Sequence, residues 1–272
     1  MQFEKNILAL YGNRGKAWLE DLPNQVQKLA AEWDLSDLKP MDNLTYNYVL
    51  SGLRNDTPII LKLNPNDLNL QREADALNAF AGYGAIALLE SQKNALLLQR
   101  ALPGLTVKKH PEAIAIACKT IEKLHQAPLP EEGDFPHIED VLSDLDTDWD
   151  IPKKLLEKAR TLKDELLQTA TPCILLHADL HQDNILSHEN EWLVIDPKGV
   201  IGFPINEVWA CVENPDYDLT YIANYFHYPL NEVVQWYFVH LVLAACWQVE
   251  DYLDPSKFLT LAETVLKQND GL

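Results

Sequence analysis

The stretch LLHADLHQDNIL, Leu175 to Leu186, gathers two histidines, two aspartates and an asparagine between His177 and Asn184. Asp196 follows twelve residues after Asn184, closing the apolar run WLVID. Three chemistries suit such a set. Histidines four residues apart, His177 and His181, share one face of a helix as in zinc sites. Asp179 and Asp183 would not join that face, and only His188 could add a third imidazole. Alternatively, Asp179 and Asn184 merely satisfy backbone groups between two core elements; that reading leaves Asp196 unexplained. Phosphoryl transfer uses all three polar residues, because it asks the protein mainly for positioning and for neutralisation of charge. Asp179 would take the proton of, or orient, an attacking hydroxyl. Asn184 and Asp196 would offer oxygens to Mg²⁺, a hard cation.

Those residues need elements to hold them. NIL and WLVID read as two short strands around the turn SHENE, a hairpin that sets Asn184 beside Asp196. His177 reads as structural. Phosphoryl transfer also predicts a strand lysine for the donor's phosphates. Lys62 in IILKL is flanked by leucines, a setting lysine avoids unless it points into a cleft. Glu73, eleven residues on, is its expected partner on a helix capped by Asn66 and running to about Ala81. The strand pair Leu44–Gly52 and Pro58–Leu63 precedes that helix, and AIALLES with ALLLQRA forms a second hairpin. Asn43, Leu44, Thr45 and Tyr46 occupy the phosphate-covering turn, which lacks the Gly-rich pattern of protein kinases. Gln99, Arg100 and Ala101 fall where a nucleotide's adenine would dock.

The apolar spacing of Leu22, Val26, Leu29 and Trp33 predicts a leading helix, and the chain beyond RALPG is mainly helical. The fold class is therefore α+β, with two lobes: residues 1–100 carrying a small antiparallel sheet, and residues 101–272 helical. A net charge of −19 over 272 residues disfavours nucleic acid and anionic membranes as partners. The most apolar run, Phe238 to Trp247, is too short to span a bilayer. Four scattered cysteines and the absence of a basic, apolar start predict a reducing cytoplasmic setting. Glu131 to Asp150 holds nine carboxylates and no Lys or Arg; it reads as a solvated face or a cation-attracting rim.

LLHADLHQDNIL followed by WLVIDPKGVIG resembles the aminoglycoside phosphotransferase family. The Asp196–Gly199 tetrapeptide DPKG, with LLLQRALPG, is similar to the branch of streptomycin 6-kinases and hydroxyurea-resistance kinases. The resemblance spans about Leu35 to Trp247. It implies a protein-kinase-like fold, ATP, Mg²⁺ and transfer of the γ-phosphate to a hydroxyl of a small molecule. By position it makes Asp179 the catalytic base, Asn184 and Asp196 Mg²⁺ ligands, Lys62 a phosphate contact and Glu73 its orienting partner. Lys198 keeps two readings, a carboxylate partner or a phosphate contact. Ala178 stands where the family has glycine, and Phe203 where this branch has an aspartate that helps hold the catalytic loop. The acidic balance favours a cationic or amino-sugar-like acceptor, with Glu207, Glu213, Asp216, Glu250 and Asp251 as candidate contacts. A non-catalytic nucleotide-binding module is the alternative of another class. A protein kinase fits less well, because DPKG replaces Asp-Phe-Gly and no Ala-Pro-Glu follows.

Overall fold

The computed structural model describes residues 2–42, 44–131, 133–168 and 172–268. The chain divides into two compact units, Met1–Leu105 with Leu186–Ile195, and Thr106–Ile185 with Asp196–Leu272.

In the first unit α1 (Gln2–Glu32) precedes β1 (Leu35–Pro40), β2 (Tyr48–Arg54), β3 (Thr57–Leu63), α2 (Asp67–Ala79), β4 (Leu88–Gln92) and β5 (Ala95–Gln99). The strands form one antiparallel sheet in the order β1-β2-β3-β5-β4. Asn55 and Asp56, both at positive φ, turn the β2–β3 hairpin; two such residues match the twist of paired strands, and Asn and Asp tolerate that backbone. α1 is interrupted at Gly12, where φ is 52° and ψ is −128°, a conformation only glycine takes without strain.

Strand alternation sorts the core onto two faces. Ile59, Leu61 and Leu63 of β3 pack with Trp18, Leu22 and Leu29 of α1. Ile60 points the other way, toward Leu70, Ala74 and Leu77 of α2. Lys62, two residues after Ile60, shares the face turned to α2. Asn66 caps α2 as expected, its side chain accepting the Asn69 N–H. The hairpin starts later than the sequence suggests. Leu44 to Asn47 stay irregular, because the carbonyls of Thr45 and Tyr46 bond Asn6 and Asn64 side chains instead of a neighbouring strand. β6 (Pro103–Thr106), β8 (Ile185–His188) and β9 (Glu191–Val194) make a separate three-stranded sheet.

The second unit holds α3 (Ala113–Leu124), α4 (Ile138–Leu142), α5 (Lys153–Leu166), α6 (Pro215–Phe226), α7 (Leu230–Glu250) and α8 (Ser256–Gln268). α7 is apolar on nearly every side and is buried from Val233 through Cys246 except at Gln235, as expected of a helix at the centre of a unit. No described helix is long and apolar enough to cross a membrane. The acidic segment is folded over α4 and a 3-10 turn. Three of its carboxylates meet groups of the helices: Asp146 meets Lys163 at 2.6 Å, Asp148 meets Arg160 at 3.5 Å, and Asp144 accepts the Trp247 indole N–H at 2.9 Å. These three contacts tie the segment to α5 and α7. β7 (Ile174–Leu176) pairs antiparallel with β10 (Val200–Gly202), Leu176 facing Val200. The loop after β7 and the turn after β10 therefore lie together.

Candidate active site

His177 to Asn184 leave β7 as a loop that closes in a 3-10 turn at Gln182–Asn184. The loop is pinned from inside. His177 is fully buried; its Nδ1 accepts the Asp179 N–H at 3.3 Å, and its carbonyl accepts the Lys198 N–H at 2.8 Å. It is a structural residue, as its place in the motif suggests. Glu207 supplies the second pin. One carboxylate oxygen accepts the His177 N–H at 2.5 Å and the other the Ala178 N–H at 3.0 Å. Ala178 has φ at 66°, the left-handed region where glycine sits without cost. That turn points the two successive N–H groups at one carboxylate.

This corrects the expectation for Glu207 and bears on the departure at Phe203. Glu207 is 1% exposed and holds the loop; it is not an acceptor contact. Phe203 is a core residue at 7% exposure, and the carboxylate expected there is provided four residues later. Burial raises the Glu207 pKa to about 7, against the pull of the two N–H donors and with a further push from Asp179. Neither primary sequence nor composition signals this role, because the partners are main-chain groups thirty residues away.

Asp179 is half-exposed and pairs with Lys198, whose ammonium lies 3.5 Å from Oδ2. Asn184 donates its amide N–H to the Asp179 carbonyl at 2.9 Å. With its nitrogen engaged, the amide's remaining polar atom is its oxygen, the kind of ligand a hard cation takes. Asn184 directly precedes β8, and Asp196, at φ 59°, follows β9, its neighbour in the sheet. An amide oxygen with a carboxylate fits Mg²⁺.

Asp179 lines a cavity of about 340 Å³ with His181, Asp183, Trp209, Glu213 and Tyr237 among its walls. Glu213 reaches it because the buried Asp218 accepts the backbone N–H groups of Glu213 and Asn214, at 2.9 and 2.8 Å. Trp209 is backed by His240, the rings 5.2 Å apart and 4° from parallel. Burial holds the His240 pKa down at about 3, so the imidazole is a neutral, flat support. Of the five carboxylates expected at the acceptor, Glu213 alone lines this cavity. Asp216 sits on α6 with Gln268 as its hydrogen-bond partner. Glu250 and Asp251 are exposed at the end of α7 and are not among the residues lining this cavity.

In the first unit Lys62 and Glu73 form the expected pair. The ammonium lies 2.8 and 2.7 Å from the two carboxylate oxygens, and both side chains are under 10% exposed. Leu44 packs against the α1 face of the core, while Thr45 and Tyr46 are exposed. Asn43 lies outside the described residues. Gln99 has its side chain engaged by the Ala87 N–H at 3.0 Å and by His188 at 3.1 Å. His188 also accepts the Leu102 N–H at 3.1 Å, so it braces the strand end that carries Gln99, Arg100 and Ala101.

A model of the aminoglycoside/hydroxyurea antibiotic resistance kinase family matches residues 36–224. The streptomycin 6-kinase of Streptomyces griseus is 28% identical over 218 residues, 74% of this chain and 70% of that one. The streptomycin 6-kinase of Streptomyces glaucescens is 25% identical over 289 aligned positions, 94% of this chain and 92% of that one. A choline/ethanolamine kinase family protein from Mesorhizobium loti superposes with a TM-score of 0.70 at 16% identity, covering 90% of this chain and 94% of its own. That likeness establishes the two-lobed, kinase-like fold. Matched over more than half its length, this chain belongs to the aminoglycoside/hydroxyurea antibiotic resistance kinase family and is a small-molecule kinase.

Proposed function

We propose that the protein transfers the γ-phosphate of ATP to a hydroxyl of a small, cationic or amino-sugar-like molecule in the cytoplasm. The observation that carries this reading is the carboxylate of Asp179, set on a pinned loop and opening into a cavity of about 340 Å³. A hydroxyl at that carboxylate gives up its proton as its oxygen attacks phosphorus, and the bond from the γ-phosphorus to the β-phosphate oxygen breaks. Asn184 and Asp196 would hold Mg²⁺, which would supply neutralisation of phosphate charge. Lys62, oriented by Glu73, contacts donor phosphate. The backbone amides of Leu44, Thr45 and Tyr46, with the Thr45 hydroxyl, cover the phosphates, and the backbone of Gln99 to Ala101 receives adenine.

The support is the joint presence of these groups in a family of kinases, together with relatives that are streptomycin 6-kinases. ADP release is to be measured with ATP, Mg²⁺ and a panel of amino sugars and aminocyclitols. At least one acceptor raises release above the acceptor-free rate, and Asp179→Ala abolishes the increase while nucleotide still binds. Transfer by Asp179→Ala at the wild-type rate would remove the base from the mechanism.

A further inference from the structure

The chain carries a formal charge of −19, yet its acceptor cavity is charge-compensated. The lining has three carboxylates, Asp179, Asp183 and Glu213, and two ammonium groups, Lys108 and Lys257. Lys108 bridges two of the carboxylates, 2.8 Å from Asp183 and 3.4 Å from Glu213. The third, Asp179, has Lys198 at 3.5 Å. Every carboxylate of the cavity therefore has an ammonium of the chain itself within 4 Å.

Lys108 is built into this place. It lies in the 3-10 turn Val107–Lys109, capped by Thr106, whose hydroxyl accepts the Lys108 N–H at 3.2 Å. The same hydroxyl donates to the Gln182 carbonyl at 3.0 Å, so the lysine is tied to the loop that carries Asp183. The neighbouring carboxylates raise its pKa, which keeps the ammonium charged. Much of the remaining lining is apolar or aromatic: Trp209, Tyr237, Phe258 and the leucines Leu241 and Leu261.

We propose that Lys108 is a specificity-determining residue, the internal counter-ion of Asp183 and Glu213, and that the acceptor is a hydroxylated ring with at most one cationic group and an apolar face for Trp209. This rests on the kinase reading above and narrows its acceptor. A polycation entering the cavity finds its carboxylates already paired and must displace Lys108 to gain them. Lys108, Asp183 and Glu213 are each nearly half exposed, so displacement is feasible but takes back the contact the incoming charge would gain.

Polycationic streptomycin is the probe, with binding followed by calorimetry on the full chain. Lys108→Met binds it at least tenfold more tightly than the wild type. Lys108→Arg, which keeps the charge, stays within threefold of the wild type. Adding Glu213→Gln to Lys108→Met cancels the gain. The proposal is overturned if Lys108→Met binds streptomycin no more tightly than the wild type, absence of binding in both included. It is also overturned if Lys108→Arg gains as much as Lys108→Met, since shape and not charge would then decide. ADP release is scored separately: a chain that follows this binding pattern but never turns over ATP would sink the kinase reading and leave the charge rule standing.

Discussion

Glu207 accepts the backbone N–H of His177 at 2.5 Å across thirty residues of sequence, and its other oxygen takes the N–H of Ala178 at 3.0 Å. Two consecutive main-chain donors thus converge on one buried carboxylate, immediately before the residue that faces the cavity. The position of Asp179 is set from behind by this contact. Glu207→Ala removes both acceptors and leaves two buried N–H groups unpaired. A displacement of about 1 Å at a reacting group costs roughly a hundredfold in rate. The expected result is a fall in kcat of about that size with ATP affinity retained. A variant with kcat within threefold of the wild type would show that the loop holds itself.

The same carboxylate makes stability depend on pH. Glu207 has a folded pKa of about 7 against an ordinary value of 4.5, because burial outweighs its N–H donors. The folded chain therefore holds a proton there that the unfolded chain has released. The contribution is fully present below about 4.5 and is lost as pH rises through 7. The loss is on the order of 3 kcal/mol. Glu207→Gln cannot ionise, so its stability relative to the wild type should improve between pH 4.5 and 7.5. Urea denaturation at several pH values reads the difference; a flat difference contradicts the assignment.

The Lys62–Glu73 pair tests the first unit. Both side chains are buried, at 5% and 9% exposure, with contacts of 2.7 and 2.8 Å. Removing one member of such a pair leaves a buried charge, at a cost of about 3–5 kcal/mol, whereas replacing both by apolar groups is often close to neutral. Lys62→Met and Glu73→Met should each destabilise by about 3 kcal/mol. The double variant should be closer to the wild type than either single one. All three should lose ATP affinity, because the double variant restores packing and not the ammonium. Chemical denaturation and nucleotide titration separate the two effects.

How far the site can be read from sequence follows from what its residues bond. Lys62 and Glu73 are legible because strand alternation and a capped helix dictate which faces meet, and their partners are side chains. Asp179, Asn184 and Asp196 stand out as a motif with fixed spacing, and their proposed roles rest on that motif. Glu207 is not, since its partners are main-chain N–H groups that carry no residue identity, and since it lies four residues from the position where an acid is expected. The pairing of β7 with β10 rests on three residues in each strand, too few for a periodic signal. The acidic segment reads as solvated because Arg160 and Lys163, which neutralise part of it, come later in the chain. Asp216, Glu250 and Asp251 show that charge alone does not locate a cavity.

Ala178 gives a prediction with a gain of stability. Its φ of 66° costs an L-residue with a Cβ about 1–2 kcal/mol. Glycine relieves that strain but adds about 0.4–1 kcal/mol of unfolded-state entropy. Ala178→Gly should therefore stabilise the chain by about 0.5–1 kcal/mol, with both N–H contacts to Glu207 kept. Thermal denaturation checks the sign. A destabilised variant would mean that the methyl group packs favourably enough to offset its backbone strain.

His125 offers the opposite pH dependence to Glu207. It is largely enclosed, its Nε2 has no hydrogen-bond partner, and its ring lies 6.3 Å from that of Phe226. Burial lowers its pKa from 6.5 to about 4, so the folded state keeps it neutral while the unfolded state takes up a proton below 6.5. Its contribution is present above 6.5 and is lost as pH falls toward 4. At pH 5 the loss is about 2 kcal/mol. His125→Phe removes both the titration and an unpartnered buried nitrogen while keeping an aromatic ring beside Phe226. It should raise stability at pH 5 more than at pH 7.5, by about that amount. Denaturation of both proteins at the two pH values decides it: an equal effect at both would mean that packing, and not protonation, is what the substitution changes.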